Sequence, residues 1–439
     1  MPTLLLLIPL LASEPAAGEP DVGKPAAGKA AAGDRTMITA EWLQERSTQP
    51  AGPVDAPGPR WQRLGPPGIA PRDLFVHAVA FAPDDPQTIM IGTRPQGLFV
   101  SRDGGENWAQ PAFSPAASRG VGVNSDSLRF LPPTGDAAAP LLVGYERKGL
   151  FRSDDLLQTQ PKRLNRGFVN RNIVTIAVDP DDPNRLFAGT DDGLHRSENG
   201  GRSWQRLGDG LPDRKMPSCT KVQFDPTDPN RLLAAYMDAD TGPAGLGEAV
   251  DEAGIYRSED RGQTWAASND GRPVGLFDTP GLGLTLQTEA ALTLHIATDG
   301  TAYAASMIDG LHRSDDGGRS WNRCGRDTAA FRPNGSIDAV TTAPGDPSRV
   351  YVSQGGGYVL RSRDGGRTWQ PIVHGLRMGR ESGAPTLRFQ LSDNSGNSRP
   401  ATATGAEFVN RVYALAMPTE SRRLFAATSA GLYAVDLTD

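Results

Sequence analysis

The chain is short of cysteine: two in 439 residues, Cys219 and Cys324. That excludes a disulfide framework, and their different places in the pattern described below predict two unpaired thiols. The five histidines are scattered, with no Cys/His spacing that fits zinc, so no metal and no cofactor is expected. The net charge of −6 lacks the basic excess of a nucleic-acid binder. Long apolar runs are scarce too. LLLLIPLLA, residues 4–12, is too short to span a bilayer and reads as an export signal, predicting a secreted, periplasmic or cell-envelope protein. Residues 13–35 are rich in Ala, Gly and Pro, like a tether. Thr36 to Arg46 could form one amphipathic turn or two around Ile38, Trp42 and Leu43, and inside the repeats described below no long stretch has helical period.

Glycine and proline are plentiful, at 51 and 37 residues, and they punctuate a repeat. Six stretches share the pattern Ser-x-Asp/Asn-x-Gly-x-polar-Trp or its remnant: SRDGGENW from Ser101, SDDLLQTQ from Ser153, SENGGRSW from Ser197, SEDRGQTW from Ser258, SDDGGRSW from Ser314 and SRDGGRTW from Ser362. The second copy lacks the glycine and the tryptophan. Gly-apolar-aromatic/His precedes most copies, as in Gly193-Leu194-His195. Two short apolar runs joined by an Asp/Pro turn lie further upstream, as in IVTIAVDPDDP then RLFAGT. Each unit therefore reads as three strands, a Ser-Asp-Gly turn, and a strand starting at Trp. In the turn, Ser101, Asp103, Ser197, Asn199, Ser258, Asp260, Ser314, Asp316, Ser362 and Asp364 accept backbone N–H groups, and glycine supplies positive φ. Trp108, Trp204, Trp265, Trp321 and Trp369 pack beneath.

A further unit, RVYALAMPTESRRLFAATSAGLYAVDLTD, has the first three strands only. Arg60-Trp61-Gln62-Arg63-Leu64-Gly65 nearly duplicates Ser203-Trp204-Gln205-Arg206-Leu207-Gly208, so the N-terminal strand around Trp61 is expected to supply the missing fourth strand. The expected fold is all-β: a seven-bladed β-propeller of four-stranded blades over residues 58–439, preceded by an export signal and linker over 1–57.

The repeat resembles the Asp-box, or BNR, repeat of sialidases, sortilin-type receptors, xyloglucanase-type glycosidases and the photosystem II assembly factor. The resemblance implies that the turns hold structure on the face opposite the functional one. Sialidases carry an Arg-Ile-Pro-type motif in the first blade, and the nearest match is Phe331-Arg332-Pro333 in the fifth repeat. Xyloglucanase-type enzymes pair two such propellers, sortilin-type receptors have more blades and a cysteine-rich module, and the photosystem II assembly factor has one seven-bladed ring. That last architecture is the nearest.

The functional face would then be built by loops between second and third strands and between blades. Arginines recur there: Arg166, Arg171, Arg214, Arg272, Arg326, Arg332, Arg377 and Arg411. Arginine forks bind carboxylates and phosphates, so an anionic ligand or an acidic protein segment is the expected partner, with solvated loop arginines as the competing reading. A glycosidase needs two facing carboxylates about 5–10 Å apart. Asp192, Asp238, Asp278, Glu381 and Glu407 are candidates by place, and their spacing selects no pair. The expected function is that of an exported, monomeric, non-catalytic binding or assembly scaffold for a protein or an anionic glycan. A glycoside hydrolase is the alternative, and a lectin-like ring the third reading.

Overall fold

The computed structural model describes residues 59–69, 74–94, 96–113, 122–133, 138–213, 217–238, 254–270, 293–306, 310–324, 337–354, 358–372, 387–392, 398–403, 411–419 and 421–437. The chain divides into residues 1–50 and 51–439, and everything described lies in the second unit. Among the described residues the regular elements are all strands, and the architecture is a β-propeller. The antiparallel sheets follow one another along the chain. One example runs Ile173–Val178, Leu186–Thr190, Gly193–Ser197 and Gln205–Arg206. The strands Phe75–Phe81, Val123–Phe130, Ile173–Val178, Pro217–Asp225, Thr293–Ile296, Ile337–Ala343 and Val412–Ala416 touch in succession, and the last touches the first, which closes the circle.

Position in the sheet explains the sequence pattern. The second and third strands have neighbouring sheets on both faces, so they are continuous buried runs such as Leu186–Thr190. Polar residues alternate in the first strands because one edge faces the central channel; Phe75–Phe81 carries His77 among apolar neighbours. Several outer strands are two residues long, which leaves little open edge.

The closing sheet mixes the two ends of the fold. Gln62–Gly65 pairs antiparallel with Gly431–Asp436, with Gln62 opposite Ala434 and Arg63 opposite Tyr433. Trp61 is buried, and its Nε1 donates to the Ile372 carbonyl at 3.3 Å. Arg63 Nε donates to the Ala430 carbonyl at 3.1 Å.

The Ser-Asp-Gly turns share one hydrogen-bond plan. At the fifth copy the Ser314 hydroxyl donates to Asp316 Oδ1 at 2.7 Å and accepts the Gly318 N–H at 2.8 Å. Asp316 Oδ1 in turn accepts the Ser320 N–H at 2.9 Å. Trp321 Nε1 then donates to the Ser268 carbonyl of the preceding sheet at 2.8 Å, so the turn also joins neighbours. Asp103 is held down to about 2 by the Asn107 N–H first, then by the Asn107 amide and Ser101.

The degenerate second copy keeps the turn without glycine. The Leu157 N–H donates to Ser153 Oγ at 2.6 Å, and Leu156 and Leu157 take φ of 55° and 64°. Both leucines are buried, whereas Gln160, at the tryptophan position, is exposed. The leucines therefore fill the space a Trp fills elsewhere. Leu157→Gly relieves a left-handed leucine, worth about 1–2 kcal/mol, and deletes a fully buried side chain, which costs about 3–5 kcal/mol. Burial wins, so urea unfolding of Leu157→Gly should show a net loss of about 1–4 kcal/mol.

Candidate functional site

The third strands fix two faces. Their C-terminal ends carry the turns; their N-terminal ends, about 16 Å away, carry the loops from the second strands. The first strands begin at this second end, so its channel mouth gathers side chains from around the circle. Asn124 Nδ2 donates to the Ile173 carbonyl at 2.7 Å, and Asn172 Nδ2 donates to Asp191 Oδ2 at 2.8 Å. Arg94 pairs with Glu146, and Arg411 Nη2 lies 3.1 Å from Asp338 Oδ1. The Arg411 guanidinium stands 5.6 Å from the Tyr413 ring centroid. His77 stacks on Tyr413 at a centroid distance of 4.0 Å.

A second layer lies deeper. Lys221 pairs with Asp126 across the intervening Ile173–Val178 strand. His295 Nε2 is 2.8 Å from Thr342 Oγ1. Burial, with Arg94 and Arg411 nearby, lowers the His77 pKa to about 3. Burial, then Lys221, lowers that of His295 to about 4, with Asp126 opposing. Both rings are neutral near pH 7. Arg94, Arg411 and Lys221 have carboxylate partners, so together they present a compensated set of donors and acceptors beside a stacked ring pair. Such a surface suits a polypeptide, which brings both donors and acceptors.

The lowered histidines have a stability consequence. The unfolded chain protonates near 6.5, above the folded values, so it binds more protons below that pH. The stabilisation is complete above 6.5 and is lost as the pH falls toward about 4 for His295 and about 3 for His77. Each contributes a slope approaching about 1.4 kcal/mol per pH unit within its window. Urea midpoints at pH 7 and pH 5 should differ clearly in the wild type and much less in a His77→Gln/His295→Gln variant.

Of the arginines expected on this face, Arg411 enters the mouth. Arg166 and Arg171 are exposed on the connection between sheets; their carbonyls accept the Trp204 and Gly149 N–H groups, both at 2.9 Å. Arg214, Arg272, Arg326, Arg332 and Arg377 lie outside the described residues, as do Asp278, Glu381 and Glu407. Asp192 accepts the Thr190 hydroxyl at 2.5 Å and lies 3.9 Å from His195 Nε2; Asp238 ends the strand Asp228–Asp238. Among the described residues no group of three or more His, Cys, Asp or Glu side chains could hold a metal ion, and no helix is long and apolar enough to cross a membrane. His77, Asp126, Lys221, His295 and Tyr413 are not loop residues and were not among the expected site residues. They sit on first strands, and their signal was a polar residue recurring where alternation aims at the channel.

No family model matches the chain. A curated relative, a xyloglucanase from a Paenibacillus species, is 27% identical over 296 residues, covering 64% of this chain. The match spans 24% of that relative's length. YCF48 from Cyanidioschyzon merolae is similar in structure, with a TM-score of 0.52 at 15% identity over 86% of this chain and 98% of its own. A structure of YCF48 bound to a D1 peptide gives a TM-score of 0.53 at 15% identity, over 88% and 99%. These structural likenesses concern the propeller fold.

Proposed function

We propose that this chain is an exported, seven-bladed Asp-box propeller that acts as a binding or assembly scaffold, holding a segment of another protein across the channel mouth. The observation that carries this reading is the mouth itself. Arg94–Glu146, Arg411–Asp338 and the His77–Tyr413 stack converge there from separate sheets. An acidic segment would enter by replacing Glu146 on Arg94 or Asp338 on Arg411, exchanging one carboxylate for another at little electrostatic cost. Support comes from YCF48, a propeller of nearly the same extent whose structure holds a peptide.

The test is a comparative pull-down from the native envelope. The full chain, a Tyr413→Ala/Arg411→Gln variant and an exposed turn-face variant, Arg367→Ala, serve as baits. The reading requires a protein kept by the first and third and lost by the second. Equal recovery by all three contradicts it.

A second reading, hydrolysis of xyloglucan, is favoured by the 27% match to a xyloglucanase. Incubation of the full chain with xyloglucan, followed by a reducing-end assay, separates the two. Release abolished by neutralising one carboxylate would establish the enzyme and displace the scaffold.

A further inference from the structure

Five third strands carry an arginine just before the turn serine: Arg152, Arg196, Arg257, Arg313 and Arg361. Four of them have an acid two residues on. Arg152 Nε is 2.8 Å from Asp154, Arg196 Nε is 3.0 Å from Glu198, Arg257 pairs with Glu259, and Arg313 Nη2 is 2.6 Å from Asp315. Three of these also grip the turn of the following sheet. Arg196 donates to the Gly262 carbonyl at 3.2 Å, Arg257 to Gly317 at 2.8 Å and Arg313 to Gly365 at 2.6 Å. Tyr303, opposite Arg313 in the ladder, adds its hydroxyl to Gly365 at 3.3 Å.

Arg361 lacks both partners. Two residues on stands Arg363, a like charge in the place of the acid. In the following sheet the third and fourth strands, Gly431–Asp436 and Gln62–Gly65, come from opposite ends of the fold, so no Ser-x-Asp-x-Gly turn joins them. Tyr351 stands opposite Arg361 as Tyr303 does opposite Arg313. Arg361 Nε is buried without a hydrogen-bond partner. Nearby Arg349 pairs with Asp346 at 2.8 Å. Burial first, then Arg363, with Arg349 adding to them and Tyr351 opposing, lowers the Arg361 pKa, as expected for a cation beside like charges.

We propose that Arg361, with Arg363 and Tyr351, is a receptor site for a carboxylate of a partner's acidic segment, which takes the place that turn carbonyl and acid fill in the other sheets. A carboxylate supplies both missing elements: an acceptor for the buried Nε–H and a negative charge between two guanidinium groups. The site is on the turn face, away from the channel mouth, and does not depend on peptide binding there.

The test uses the full chain with ¹⁵N-labelled arginine, in which Arg361→Lys assigns the Nε–H resonance by its loss. Acetyl-Asp-Gly-Gly-amide is the probe and acetyl-Asn-Gly-Gly-amide the control, at matched ionic strength. The Asp peptide should shift the Arg361 resonance saturably, with a dissociation constant at least tenfold lower than that of the Asn peptide. Arg363→Glu, which reinstates the acid of the other sheets at an exposed position, should abolish the shift and raise the unfolding midpoint by about 1 °C without peptide. Absence of a saturable shift in the wild type, equal binding of the two peptides, or undiminished binding by Arg363→Glu overturns the proposal.

Discussion

A chain beginning at Pro66 loses cooperative unfolding or unfolds far below the full-length protein, whereas a chain beginning at Gly58 unfolds where the full-length protein does. The difference is the strand Gln62–Gly65 with Trp61 before it. Its removal strips the Gly431–Asp436 strand of its outer partner and opens the seam where the two ends of the fold meet. Trp61→Ala isolates the packing part of this loss. The ring is 4% exposed, packs with Tyr351, Val412 and Tyr433, and donates to Ile372. Truncating a buried aromatic costs about 3–5 kcal/mol. At about 2 cal/mol/K per residue, a ring of this size should melt about 4–6 °C lower. Calorimetry of the two truncations and Trp61→Ala checks the series; an unchanged midpoint for the Pro66 chain would refute closure by this strand.

Lys221→Met has the second large effect. Lys221 and Asp126 are 17% and 27% exposed at the side chain, and their pair spans an intervening first strand. Removing one partner of a buried pair costs about 3–5 kcal/mol; with water reaching part of this one, about 2–3 kcal/mol is expected. An Asp126→Leu/Lys221→Met double variant should recover most of the loss, because no unpaired charge is left. His295 reports the same change. Lys221 helps lower its pKa from 6.5 to about 4 and Asp126 opposes, so with Lys221 gone the value should rise. NMR titration of the His295 ring measures this directly, and an unmoved pKa would mean that the three side chains do not share one environment.

How legible each part was in the sequence follows from where the information lies. The turns were readable because a hydroxyl, a carboxylate and a glycine at fixed spacing close one loop locally, and the ring closure because Trp61-Gln62-Arg63-Leu64-Gly65 copies Trp204-Gln205-Arg206-Leu207-Gly208. The second copy shows the limit of motif reading. Leu156 and Leu157 keep the turn at positive φ by moving buried apolar mass four and three places back from the tryptophan position, which no spacing rule anticipates. The mouth was less legible still. His77 and Tyr413 stack although they are far apart in the chain, and only the closed circle brings them together. Loop arginines were conspicuous by type; of those in the described residues, Arg166 and Arg171 are exposed and Arg411 is matched by Asp338 on another first strand. Arg361 differs from its equivalents in the fold as well as in the sequence, because the sheet that follows it has no Ser-x-Asp-x-Gly turn to offer a carbonyl.

The scaffold reading rests on which face meets another protein. Val169, 88% exposed on a connection at the mouth end, and the exposed Arg367 on the turn face give matched positions for a photo-crosslinking residue. Crosslinking of both full-length variants in the native envelope, with mass-spectrometric identification, should give one dominant protein segment from position 169, lost when Tyr413→Ala and Arg411→Gln are added. Absence of any dominant product from position 169, or a product that survives those two substitutions, would contradict the account.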